Sequence, residues 1–125
     1  MAKILIVDDE VMIRKILADF FTKMGFDILQ AAGGQEALEF LKKDKEIDLM
    51  ILDLKMPLVN GFDVLRLKRD LKDERPVIIL TGTVSQVKNF LNLQEFGIAM
   101  EDVLYKPFDL FVILSIVNQR LNIKN

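Results

Sequence analysis

Side chains suited to metal and phosphate chemistry follow four apolar segments of this sequence. Asp8 and Asp9 come directly after KILIV, Asp53 after DLMIL, Thr81 after PVIIL, and Lys106 after DVLY. A carboxylate that follows so apolar a segment is costly unless it is solvated or paired. The repeated placement indicates that these polar groups meet in one shared site.

The residue types in this set define the chemistry that such a site can perform. Three carboxylates held close together repel one another, so a cation is expected among them. Mg²⁺ suits a site with few carboxylates that leaves positions open for water and a phosphoryl group. An ammonium and a hydroxyl opposite the carboxylates are the groups needed to hold the oxygens of a phosphoryl group on an aspartate.

The composition excludes several other classes of function. The 125 residues fit one domain, 1–125, and the absence of histidine and cysteine excludes disulfides, cysteine nucleophiles and Ser-His-Asp relays. The net charge of -2, without a basic stripe, disfavours direct binding to nucleic acid. Segment 110–117 is far shorter than the about 20 residues that span a bilayer, and MAKILIV meets Asp8 too early for a signal peptide. We therefore expect a cytoplasmic protein without membrane contact.

Five short segments rich in Ile, Leu and Val alternate with helix-length segments. Three of the five are apolar without alternation, which is typical of parallel strands covered on both faces. The sequence therefore predicts an α/β fold, a single doubly wound (βα)5 domain of the flavodoxin-like type, with a five-stranded parallel sheet in the order 2-1-3-4-5. The predicted strands are 3–7, 27–32, 48–52, 76–80 and 102–105.

The helix predictions rest on apolar spacing and on residues that begin or end helices. Gly25 is predicted to end the first helix, and Pro107 is predicted to begin the last one because proline suits a first turn. The side chains expected to face the core from the first helix are Ile13, Ile16, Leu17, Phe20 and Met24.

The predicted strand order brings the polar residues together, because ligands of such sheets bind beyond the carboxyl ends of the strands. Strands 1 and 3 are neighbours, which places Asp8, Asp9 and Asp53 side by side. Simpler roles are open for each residue taken alone: Asp8 or Asp9 capping the first helix, Thr81 capping the fourth, and Lys106 lying in solvent. Their joint occurrence at four strand ends favours a shared site.

The ordered motifs resemble the receiver domain of bacterial two-component response regulators, including the chemotaxis receivers. The resemblance covers essentially the whole chain and rests on IVDDE (6–10), DLKMPLVNG (53–61), TG (81–82) and KPF (106–108). It implies a signalling domain, not an enzyme acting on external substrates, whose phosphotransfer and dephosphorylation concern only itself.

The resemblance implies a phosphoacceptor and a metal site. Asp53 would take a phosphoryl group from a phosphohistidine on a sensor kinase or phosphotransfer protein. Mg²⁺ would be bound by Asp9 directly, by Asp8 largely through water, by Asp53, and by the backbone carbonyl of Lys55.

The resemblance also implies how the phosphoryl group is held and lost. Thr81 and Lys106 would each bind a phosphoryl oxygen, and the peptide bond before Pro107 is expected to be cis. Lys55 and Thr83 would flank the path of the attacking water and tune the lifetime of the phosphoryl group.

Two features depart from the family pattern. Val103 stands where the family commonly has a Tyr or Phe that swings inward when the Thr moves. Tyr105 lies on the same strand face, so either Tyr105 carries part of the signal or switching relies on Thr81 and loop movement alone. The segment between Thr81 and Lys106 is also longer than usual and is altered near Gly97.

The output surface is expected on helix 4, strand 5 and helix 5. It would bind a downstream protein or a covalently linked output domain, or form a phosphorylation-dependent homodimer. The aromatic residues available as anchors, for which burial in the core is the alternative, are Phe90, Phe96, Tyr105, Phe108 and Phe111.

Other functions remain open at this point. A Mg²⁺-dependent phosphatase or phosphotransferase acting on external substrates often has a second Asp two residues after its nucleophile, where this chain has Lys55. A flavodoxin-like cofactor carrier would need a Ser/Thr/Gly-rich loop where this chain has Asp8-Asp9-Glu10. A receiver that no longer accepts phosphate is disfavoured by the intact site residues.

Overall fold

Strands and helices alternate along the chain. The computed structural model describes residues 1–54, 56, 58–82 and 90–123, with the backbone alone at 90–92. The strands are β1 (Lys3–Val7), β2 (Asp27–Ala31), β3 (Ile47–Asp53), β4 (Val77–Thr81) and β5 (Val103–Tyr105). The helices are α1 (Val11–Lys23), α2 (Gly34–Lys43), α3 (Gly61–Asp70), α4 (Phe90–Glu95) and α5 (Leu110–Arg120), with a 3₁₀ turn at Met100–Asp102. Within the described ranges, none of the helices has the length and apolar character needed to cross a membrane.

The five strands form one parallel sheet in the order β2-β1-β3-β4-β5. This confirms the predicted flavodoxin-like fold class, and the strand bounds agree with the prediction to within one residue. Parallel neighbours require crossover connections, which the intervening helices supply. The carboxyl ends of all five strands consequently lie at one edge of the sheet.

The sheet separates two apolar cores, one on each face. Fully burying a large aliphatic or aromatic side chain in such a core stabilises the fold by about 1.5–3 kcal/mol. Coverage on both faces explains why β1, β3 and β4 are apolar without alternation. On one face α1 and α5 bury Leu17, Phe21, Ile113 and Val117. On the other face α2 and α3 bury Leu38, Leu41, Val64 and Leu65.

The buried face of α1 differs from the predicted one. Ile16 and Met24, expected in the core, are exposed, whereas Phe21 is fully buried. The Phe21 ring packs edge to face against Phe20 and Phe26, with centroid separations of 5.1 and 5.7 Å. Burial of this large ring explains why α1 presents a different face to the core from the predicted one.

The ends of two helices test the sequence signals directly. Gly25 follows α1 with a φ of 93°, which confirms the predicted stop. The prediction that the last helix begins at Pro107 is wrong, because α5 begins at Leu110. Asp109 is the N-cap, and its carboxylate accepts a hydrogen bond from the Phe111 N–H at 2.8 Å. The peptide bond before Pro107 is cis, as the resemblance implied.

Arg75 ties α2 and β3 together at the amino edge of the sheet. Its guanidinium donates to the carbonyl oxygens of Leu41 (2.6 Å), Asp44 (2.7 Å) and Ile47 (3.4 Å). It also donates to the Asp73 carboxylate, with a shortest contact of 2.6 Å. Burial alone would raise the pKa of Asp73, but the hydrogen bonds from Arg75 hold this pKa below its usual value. One side chain thus satisfies carbonyls at the end of α2 that lack helical partners.

We expect Arg75→Gln to lower the free energy of unfolding by about 2–4 kcal/mol, because three carbonyls and a part-buried carboxylate lose a charged donor. Urea unfolding at neutral pH measures this change. The matched control is Arg66→Gln in α3, whose exposed pair with Asp63 predicts a change within about 0.5 kcal/mol. Equal losses in the two variants would contradict the role assigned to Arg75.

Candidate functional site

Two buried aspartates meet at the carboxyl edge of the sheet. Asp53 is the last residue of β3 and is 3% exposed, and Asp8 follows β1 and is 1% exposed. The register pairs Val7 with Leu52, so both aspartates leave neighbouring strands at the same level. The topology therefore brings together two carboxylates that are 45 positions apart in the sequence.

Lys106 lies between these aspartates. Its backbone N–H donates to the Thr81 carbonyl at 2.8 Å, which ties the end of β5 to the end of β4. Its Nζ lies 3.3 Å from Asp8 Oδ2 and 3.4 Å from Asp53 Oδ2. Burial alone would lower the pKa of Lys106, but the carboxylates, Asp53 foremost, outweigh burial and raise it. Among the described residues, Lys106 therefore supplies the positive charge of this site.

Thr81 completes the same edge of the sheet. It is buried, and its Oγ1 has no hydrogen-bond partner among the described residues. Leaving a buried hydroxyl without a partner costs about 1–3 kcal/mol. A cost of this size at a strand end beside Lys106 is explained if the hydroxyl serves a bound group.

Close packing at Gly61 fixes the backbone that follows Asp53. A Cβ at Gly61 would lie 2.6 Å from the Leu54 Cα and 2.8 Å from the Asp53 carbonyl oxygen. The Gly61 N–H donates to the Leu54 carbonyl at 3.0 Å. Asn60 and Asp63 then begin α3 with a reciprocal capping box. The glycine of DLKMPLVNG is thus required by the close approach of two backbone segments.

The third carboxylate of the cluster is that of Glu10. Carboxylate oxygens of Asp8, Glu10 and Asp53 lie within 4.8 Å of one another, whereas Asp9 is exposed and stands outside this group. Glu10 is the N-cap residue of α1 without a side-chain capping bond, so neither aspartate caps the helix. Sequence reasoning missed Glu10, although alternation in extended backbone places residues 8 and 10 on the same side.

One protein family matches this sequence and this fold. The response regulator receiver domain matches residues 4–118. The chain belongs to this family.

Individual relatives agree with this assignment. Response regulator RR06 of Streptococcus pneumoniae serotype 2 is 39% identical over 112 residues, covering 90% of this chain and 49% of that protein. Sporulation initiation phosphotransferase F of Bacillus subtilis is 34% identical over 123 residues, covering 98% of this chain and 96% of that protein. A receiver domain protein of Clostridium thermocellum is 33% identical with a TM-score of 0.84, and the match covers 98% of this chain and 95% of that one. The chain spans about half the length of the first curated relatives it matches.

The acidic cluster of this receiver has the donor chemistry that Mg²⁺ requires. All of its donors are carboxylate oxygens close enough to share one ion, and hard oxygen ligands are those that Mg²⁺ prefers. Asp8 and Asp53 are the buried members, and Glu10 is the exposed one. Lys55, whose carbonyl the resemblance adds to this set, lies outside the described residues, as does Thr83.

Val103, which stands where the resemblance led us to expect a switching aromatic, is buried in this receiver. Val103 lies in the core, opposite Ile79 of β4. Tyr105 is 42% exposed and pairs with Thr81 in the register of β4 and β5. Thr81 and Tyr105 are therefore direct neighbours across the two strands.

We expect Thr81→Val to leave the free energy of unfolding unchanged or to raise it by up to about 1 kcal/mol, because a buried hydroxyl without a partner is replaced by a methyl of similar shape. Urea unfolding without Mg²⁺ or phosphate donors measures the change. Thr22→Val, at an exposed position of α1, controls for the substitution itself. A loss above about 1 kcal/mol in Thr81→Val alone would show that the hydroxyl is satisfied in the folded protein.

Proposed function

We propose that this receiver accepts a phosphoryl group on Asp53 from a phosphohistidine of a sensor histidine kinase or phosphotransfer protein. The observation that carries the proposal is the position of Lys106, whose Nζ is shared by Asp8 and Asp53. Thr81 ends the neighbouring strand, and its hydroxyl has no partner among the residues that the structure describes. A buried carboxylate, a cation and a spare hydroxyl at one edge are the groups that phosphoryl transfer to an aspartate needs.

The proposed phosphoryl transfer to Asp53 needs no general base. The bond between phosphorus and the donor's imidazole nitrogen breaks, and a bond between phosphorus and a carboxylate oxygen of Asp53 forms. The imidazole keeps the electron pair and leaves neutral when its other nitrogen carries a proton. No proton has to be removed from Asp53, which is consistent with a chain that has no histidine.

Mg²⁺ would be held by Asp8 and Asp53 and, from the family resemblance, by Asp9 and the carbonyl of Lys55. When bound, it would neutralise the charge on the transferred phosphoryl oxygens. The protein's own residues would do the rest: Asp53 forms the bond, and Lys106 orients the acceptor and then pairs with a phosphoryl oxygen.

Phosphorylation would change the carboxyl edge of β4 and β5. An aspartyl phosphate adds negative charge and strong acceptor oxygens. Thr81 would gain a partner for its buried hydroxyl, and Lys106 would exchange a carboxylate oxygen for a phosphoryl oxygen. Because Lys106 N–H is bonded to the Thr81 carbonyl, the two strand ends would move together. Lys55 and Thr83 remain our candidates for setting the lifetime of the phosphoryl group.

The output surface would comprise α4, β5 and α5. Among the aromatic residues expected there, Phe96 and Phe108 pack partly against the cores. Tyr105 and Phe111 are 42% and 67% exposed, and the side chain of Phe90 lies outside the described part of the chain. We propose this surface for a downstream protein, a linked output domain or a phosphorylation-dependent homodimer. Relatives of both lengths exist, one about twice as long as the matched segment and one of similar length.

Incubation with acetyl phosphate and Mg²⁺ should add one phosphoryl group to the protein, detected by intact mass. We expect Asp53→Asn to abolish the addition, because an amide replaces the nucleophilic carboxylate. The matched control is Asp48→Asn, at the opposite end of β3, which should be phosphorylated like the wild type. An unmodified wild type, or an undiminished addition in Asp53→Asn, would overturn the proposal.

Tyr105 is the only tyrosine and the chain has no tryptophan, so its fluorescence reports the switch directly. If Tyr105 carries part of the signal, acrylamide quenching of its emission should fall on phosphorylation, because the ring moves out of solvent. The unphosphorylatable Asp53→Asn should show no change under the same conditions. Unchanged quenching in phosphorylated wild type would leave Thr81 and loop movement as the switch.

A further inference from the structure

Glu10 stands at the solvent side of the acidic cluster. Its side chain is 60% exposed, against 1% for Asp8 and 4% for Asp53. Its Oε1 lies 3.5 Å from Lys106 Nζ. Its N–H donates to Asp8 Oδ1 at 2.9 Å, which holds the turn between β1 and α1. The Glu10 carboxylate therefore lies close to the buried aspartates but is exposed to solvent.

The carboxylates of the cluster outnumber the ammonium that they share, so the cluster carries a net negative charge until a cation binds. Within the described ranges, the three carboxylates of Asp8, Glu10 and Asp53 share one ammonium, that of Lys106. A bound divalent cation would bring this group to neutrality, and the neighbouring Asp9 would make it slightly negative. Glu10 is the exposed member of this cluster, and it adds a negative charge beside the buried acceptor.

A phosphoryl donor brings negative charge to Asp53, whose carboxylate lies in the same cluster as that of Glu10. Like charges separated by a few ångströms in a partly exposed site repel appreciably, and salt screens the repulsion. The repulsion grows with the charge of the donor. A small dianion is therefore disfavoured more strongly than a small monoanion.

We infer that Glu10 is a specificity-determining residue, an electrostatic gate that selects phosphoryl donors by their charge. The inference rests on the proposed function, because it concerns access to the same acceptor, Asp53. It predicts that small dianionic phosphoryl donors react slowly with this receiver. Removing the Glu10 charge should raise the rate of phosphorylation by these donors. A purely structural role of Glu10 would not depend on the charge of the donor.

Two small donors separate charge from size. At pH 7 acetyl phosphate is a dianion and phosphoramidate is a zwitterion with one net negative charge. With acetyl phosphate the P–O bond breaks and acetate leaves with the electron pair. With phosphoramidate the P–N bond breaks and the protonated nitrogen leaves as ammonia. Both reactions form the same bond to Asp53, so the protein product has the same mass.

The experiment compares initial rates of phosphorylation, by quenched intact mass at saturating Mg²⁺, for the wild type, Glu10→Gln and Glu10→Asp. We expect Glu10→Gln to raise the rate with acetyl phosphate roughly three- to tenfold and the rate with phosphoramidate by roughly the square root of that factor. Glu10→Asp keeps the charge and should keep the wild-type ratio of the two rates. The gain in Glu10→Gln should shrink at high salt.

Glu46→Gln supplies the matched control. Glu46 precedes β3 at the amino edge of the sheet and is 88% exposed. Glu46→Gln removes one negative charge, as Glu10→Gln does. If the effect depends on the position of the charge beside Asp53, both phosphorylation rates of Glu46→Gln should stay close to those of the wild type.

The outcomes separate the gate from the proposed function. Equal acceleration of both donors, no acceleration, or slower reaction in Glu10→Gln would overturn the gate while phosphorylation of Asp53 stands. An equal effect of Glu46→Gln would also overturn it, because net charge alone would then explain the result. A wild type that reacts with neither donor would overturn both the gate and the proposed function.

Discussion

The ammonium of Lys106 is the interaction on which the site depends. Two carboxylates at the ends of β1 and β3 are almost completely buried, and such a pair is tolerable only with a cation between them. Lys106 arrives from the end of β5 and contacts both. The sheet order makes this contact possible, because β3 and β4 bring the strand ends of β1 and β5 to the same edge. The strand order therefore brings Lys106 to the two aspartates, and the charge of Lys106 makes their burial tolerable.

In the proposed function, the same contact would make the site respond to phosphorylation. Phosphoryl oxygens would replace carboxylate oxygens that hold Lys106. The backbone of Lys106 is bonded to the strand end that carries Thr81, whose hydroxyl has no partner within the described part of the chain. Among the residues that the structure describes, the Thr81 hydroxyl is thus unsatisfied and the Lys106 ammonium is shared among several acceptors. A new acceptor at Asp53 would relieve both conditions at once, which gives a physical reason for the two strand ends to move together.

The sequence predicted the parts of the structure that are set by continuous patterns. Uninterrupted apolar strands separated by helix-length segments were sufficient for the fold, the strand order and the placement of Asp8 and Asp53. The predictions were wrong where side-chain packing or a local hydrogen bond decided the outcome. Burial of Phe21 set the face of α1, and capping by Asp109 moved the start of α5. Glu10 was not predicted, because the resemblance implied Asp9 as the second acidic residue of the site. The turn after β1 instead brings the Glu10 carboxylate to Lys106.

Asp53 as the residue that carries the phosphoryl group is the central claim, and reductive trapping tests it most directly. Borohydride reduces the carbonyl of an aspartyl phosphate, releases phosphate and leaves homoserine at the modified position. Peptide mapping after phosphorylation and reduction should find homoserine at position 53 and an intact aspartate at positions 8 and 9. Homoserine at any other position, or none in a protein whose mass showed the added phosphoryl group, would contradict the account.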